Sequence, residues 1–145
     1  MKTILISLLL SISISTFGQY VERSLISFDG LYETKCEFED ADDEDGTQSY
    51  LRFYPDGKVI SVGTDCEGTI DELKDWFHVN AEQVSVGNYE INGRKMHFST
   101  TGKAGTVNYK CKIMAENIIK VKWKSRINRE RGKEEYKFVK LTGLK

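Results

Sequence analysis

A chain of 145 residues with 39% apolar side chains has the size of one domain around a single core, and its formal net charge of −1 argues against a generic nucleic-acid binder. That balance conceals a division: Gln19 to Asp75 holds 16 acids and 5 bases, whereas Trp76 to Lys145 holds 6 acids and 15 bases. The two halves either complement one another within the fold or present charged surfaces to a partner.

The chain opens "MKTILISLLLSISISTFGQY": one lysine, an apolar run from Ile4 to Ile14, and small residues Thr16 and Gly18 before Gln19. This is the pattern of a secretory signal peptide over residues 1–18, cleaved near Gly18/Gln19, and it predicts a secreted or periplasmic domain over 19–145. The apolar run is too short for a stable membrane span, so no transmembrane segment is expected in the mature chain.

From Phe28 onward, short runs rich in Val, Ile, Tyr and Phe alternate with glycine-bearing turns, which is the punctuation of an antiparallel all-β protein. A first strand is expected near 30–38, ending in "CEFEDADDEDG", where seven carboxylates fall between Glu37 and Asp45. That spacing does not fit a calcium-binding loop: with Gly46 as the sharp-turn glycine, Ala41 takes the first ligand position and Arg52 the place of the bidentate Glu. A looser calcium site stays open. Strands near 48–54 and 58–64 flank the Pro55, Asp56, Gly57 turn. "GTIDELKDWFH" then places Thr69 and Glu72 as a capping box ahead of Ile70, Leu73, Trp76 and Phe77 on one helical face.

Strands near 83–91 and 95–100 meet at Asn92 and Gly93, the strongest short hairpin signal. In the next two, near 105–114 and 118–127, the alternation is cleanest. Val107, Tyr109, Cys111 and Ile113 share one face of the former, and Ile119, Val121, Trp123, Ser125 and Ile127 one face of the latter. Lys120, Lys122, Lys124 and Arg126 take the opposite face as a basic stripe, available to an acidic partner or simply solvated. The last strand is expected near 133–141.

Eight sequential strands joined by short turns suit an up-and-down meander, which loses its exposed edges by closing into a barrel. The helix between strands three and four is expected to cap one end as a lid, anchored by Trp76 and Phe77. "FDGLYETK", with Phe28, Gly30 and Tyr32, resembles the opening of lipocalin-like and fatty-acid-binding-protein-like barrels, the calycin group. "YLRFYPDGKVISV" and "GNYEINGRKMHFS" are similar to the hairpins of small secreted lipocalin-like proteins. The lipocalin motif carries Trp where this chain has Tyr32. The resemblance implies an eight-stranded antiparallel barrel.

A barrel of eight strands is either filled by its own side chains or holds one small ligand. The inward set is expected to include Tyr32, Thr34, Phe53, Met96, Phe98, Tyr109, Cys111, Trp123 and Phe138. Of these, Tyr32, Phe53, Met96, Phe98, Tyr109 and Trp123 are the candidates to bind a small apolar molecule. Strand directions put Cys36 and Cys66 at the same barrel end and Cys111 within a strand, predicting a Cys36–Cys66 disulfide and a buried free thiol. No nucleophile beside a base, no paired carboxylates on facing strands and no phosphate loop is recognisable, so neither catalysis nor a cofactor is expected. The cysteine spacing matches no zinc pattern, and His78 and His97 have no ligand partners nearby in sequence. The topology also sets "RINRERGKE" beside the acidic loop, so Arg126, Arg129, Arg131 and Lys133 are expected to face Glu37 to Asp45 across the rim. Two functions follow: a non-enzymatic barrel that carries a small apolar ligand, or an extracellular or envelope-associated interaction module with a filled core.

Overall fold

A computed structural model describes residues 24–145; the expected signal peptide lies outside them. Eight antiparallel strands close into one barrel in sequence order: β1 (Gly30–Glu33), β2 (Gln48–Phe53), β3 (Lys58–Thr64), β4 (Ser85–Asn92), β5 (Lys95–Gly102), β6 (Gly105–Ile113), β7 (Ile118–Ser125) and β8 (Arg131–Lys140). Closure comes from β1 pairing with β8, Tyr32 standing opposite Phe138. The first strand is shorter than expected, because after Glu33 the chain leaves the sheet and returns only for an isolated Glu37–Thr47 bridge. Gly30 explains the motif that opens β1: a Cβ there would lie 2.0 Å from the Val139 carbonyl oxygen, so the close approach of β8 requires glycine.

Cys36 and Cys66 form the expected disulfide at the end of the barrel where the odd-numbered strands finish, here the upper end. Cys111 is a buried free thiol inside the barrel, and burial pushes its pKa up to about 12. The unreactive protonated form is therefore held at neutral pH.

The helical segment stands where the capping box places it, as α1 (Ile70–Leu73) followed by a 3₁₀ turn, Lys74–Trp76. It does not cap the barrel. Leu73 and Phe77 pack with Leu31, Tyr50, Ile60, Val62 and Val84 in a second apolar cluster, on the outer face of β1 to β3. The reason lies in the strand sequences: Tyr50, Ile60 and Val62 point away from the interior set Leu51, Phe53 and Val59, so β2 and β3 are apolar on both faces and need cover outside. Arg52, outward on β2 and buried, ties the cover down by donating from Nη1 to the carbonyl oxygens of Phe77 and Lys145. Its guanidinium also sits over the Tyr54 ring at 4.6 Å.

Trp76 is not the anchor that helical periodicity suggested: it is 36% exposed while Phe77 is 1% exposed. The winding tightens to 3₁₀ over Lys74–Trp76, and Trp76 ends off the face that Ile70, Leu73 and Phe77 share.

Candidate functional site

Two regions bear on function: the barrel interior and the outer wall of β6 to β8. Of the six residues expected to line a ligand pocket, Tyr32, Phe53, Met96 and Phe98 are buried at 1 to 4% exposure in one cluster, with Tyr109 packed against it. Their rings contact one another along the barrel. Tyr32 meets Phe53 edge-on at 5.5 Å, Phe53 meets Phe98 at 5.7 Å and Tyr89 at 5.2 Å, and Phe98 stacks on Tyr109 at 4.6 Å. Such pairs add to the hydrophobic gain of each ring. The Tyr32 hydroxyl is already engaged, accepting from the Ser27 amide at 2.9 Å.

Above these rings the interior becomes polar. Ser61 and Thr100 hydroxyls share a hydrogen bond of 2.9 Å close to Tyr109, whose pKa burial raises. Trp123 stands apart from the aromatic cluster, its ring against Gly132, where a Cβ would come within 2.6 Å of it. Glu134 joins Trp123 and Tyr136: the Tyr136 hydroxyl donates to its Oε2 at 2.9 Å. Burial raises the Glu134 pKa, opposed by the hydrogen bonds from Tyr136 and Trp123 and assisted by the nearby Glu37 charge.

The outer wall follows from register. Asn108, Lys124 and Arg131 stand side by side across β6, β7 and β8, as do Lys110, Lys122 and Lys133. Two rails of side chains result, about 6.8 Å apart along the strands, with members about 4.8 Å apart across them. Between the rails, Trp123 and Gly132 stand opposite one another and line the floor. The outcome is a trough of about 590 Å³ walled by four lysines, Arg131 and Asn108. A third row, Lys112, Lys120 and Glu135, extends the basic surface toward the lower end.

None of these lysines, nor Arg131, takes part in an ion pair among the described residues. Like charges placed directly opposite one another disfavour the sheet, so the wall is a local cost that the fold carries. Lys120, Lys122 and Lys124 were expected here; Arg126 lies beyond the end of β7. The cationic partners on β6 and β8 were missed, although "NYKCKI" and "RGKEEYK" each alternate charge outward, because register rather than sequence sets which lysines become neighbours.

The acidic loop is organised by its own backbone. Asp43 accepts from the amides of Glu39 at 3.0 Å, Gly46 at 3.0 Å and Asp45 at 3.3 Å, which hold its pKa below the ordinary carboxylate value. Gly46, at φ +61°, packs beneath Phe38 and the disulfide sulfurs with no room for a Cβ. No ion pair links Glu37 to Asp45 with Arg126, Arg129, Arg131 or Lys133, so the expected rim interaction is not formed. Among the described residues, no three His, Cys, Asp or Glu side chains gather in a metal-binding group, and no helix is long and apolar enough to cross a membrane. Comparison with models of known families, with curated proteins and with solved structures gives no match.

Proposed function

We propose that this chain is an exported, non-enzymatic barrel of lipocalin-like descent that works through its outside, docking an acidic protein surface on the basic wall of β6 to β8. The observation that carries this reading is the trough itself: five cations in two rails, none in an ion pair among the described residues. A solvated strand face needs no such concentration of one sign, and a charged concavity attracts an oppositely charged partner over distance. The carriage of a small apolar molecule ranks second, since the residues that would line its pocket are occupied with one another.

The Cys36–Cys66 disulfide favours an oxidising compartment, secreted or periplasmic. Kinship with lipocalin-like barrels rests on the meander order and on the glycine at the β1–β8 closure.

Binding of soluble poly-L-glutamate tests the reading. Wild type should bind with an affinity that falls as salt rises, and Lys122→Gln with Lys133→Gln should weaken binding about tenfold while leaving the melting temperature near wild type. Equal binding by both proteins would remove the wall from the function.

A further inference from the structure

We propose that the trough on β6 to β8 receives the acidic loop of a second copy of this chain, so that molecules join loop to wall. This rests on the wall being a docking surface and names its occupant. Glu37, Glu39, Asp40, Asp42, Asp43, Glu44 and Asp45 match in sign the five cations of the trough, and none of the seven carboxylates is in an ion pair among the described residues. The two surfaces belong to one chain, yet no ion pair joins them within it.

The loop is also built to project. Its base is pinned by the disulfide, by the Glu37–Thr47 bridge and by the Cys66 amide donating to the Asp45 carbonyl at 3.0 Å; its tip is held by Asp43. A loop already fixed in shape loses little entropy when it docks. It carries an apolar anchor as well. Phe38 is 55% exposed between Glu37 and Glu39, on a loop otherwise acidic and polar. An aromatic ring seated among lysine stems, with carboxylates meeting the ammonium groups around it, suits the apolar methylene walls and charged rim of the trough. The net charge of −1 means that two copies approach without strong overall repulsion.

Loop and wall are different patches, so the contact is heterologous. Each molecule that docks its loop still offers a free wall, and association does not stop at a dimer unless the geometry closes a ring.

Sedimentation velocity on the mature protein tests this with three samples. One is wild type. A loop variant carries Phe38→Ser, Glu39→Lys and Asp42→Lys, and a wall variant carries Lys122→Glu and Lys133→Glu. Wild type should show a sedimentation coefficient that rises with concentration at low salt and returns to the monomer value at high salt. Each variant alone should remain monomeric, while an equimolar mixture should form a one-to-one dimer and nothing larger, because only one loop and one wall remain intact. Circular dichroism verifies folding, and Lys122→Gln with Lys133→Gln supplies a milder wall variant that should weaken association about tenfold.

A wild type that stays monomeric, association that either variant retains alone, or a mixture that forms no dimer would each overturn the proposal. A monomeric wild type that still binds poly-L-glutamate through the wall would leave the docking surface standing and remove only the second copy.

Discussion

Trp76 and Phe77 are neighbours in sequence with opposite fates, Trp76 closing the 3₁₀ turn and Phe77 following it. Phe77 packs on Tyr50 with ring centroids 5.2 Å apart, inside the outer apolar cluster. Phe77→Ala should cost about 3 to 5 kcal/mol, and Trp76→Ala below about 1 kcal/mol, as read by urea denaturation. Equal losses would mean that the indole is as buried as the phenyl ring. Glu134 gives a second prediction at this scale. Burial raises its pKa, so the folded state holds that proton more tightly than the unfolded chain does, and ionisation lowers stability. The loss is absent in acid and grows as pH rises through the ordinary carboxyl value toward the folded one. Tyr136, Trp123 and Glu37 face this carboxyl and stay in place when it is changed. Glu134→Gln should therefore melt above wild type at neutral pH, with the difference vanishing toward about pH 4, near the unperturbed carboxyl value. A difference independent of pH would assign the effect to packing instead. Neither the 3₁₀ turn nor the buried carboxyl was legible in sequence, since a helical wheel assumes one winding throughout and "KEEYK" reads as a wet strand.

At the scale of elements, the strands were legible because their period of two is local: the β6 to β8 runs and the Asn92, Gly93 turn carry their own signal. The disulfide was legible as well, because strand direction alone puts Cys36 and Cys66 at one end. The place of the helix was not. The apolar runs "SYLRF" and "KVISV" signal strands buried on both faces, a pattern that distinguishes a covered wall from an open one. The acidic loop links these points, since its shape depends on the disulfide at its base. Replacing Cys36 and Cys66 by serine frees a loop spanning a sequence separation of 30 and should remove roughly 3.7 kcal/mol by the chain-entropy relation. Equilibrium unfolding measures it. Cys111→Ser, which breaks no cross-link, should leave the non-reducing peptide map unchanged; a new disulfide pattern would contradict the assignment.

The whole molecule divides its surface by sign and its interior by polarity. Aromatic rings fill the lower barrel, a polar group around Ser61, Thr100, Tyr109 and Glu134 occupies the upper interior, and the helix covers the outside of β1 to β3. What remains open is the basic wall on β6 to β8 and the acidic loop at the upper end. The charge asymmetry between the chain halves was visible in the sequence, but whether it would be spent inside the fold depended on distances that only the closed barrel sets. The proposed role places binding on the wall and not in the interior, and amide chemical-shift mapping distinguishes the two. On titration of labelled protein with poly-L-glutamate, Lys110, Lys122, Lys124, Arg131 and Lys133 should shift, and titration with a long-chain fatty acid should leave Tyr32, Phe53, Met96 and Phe98 in place. Saturable shifts of those four interior residues with the fatty acid, together with a wall that does not respond to the polyanion, would contradict the account.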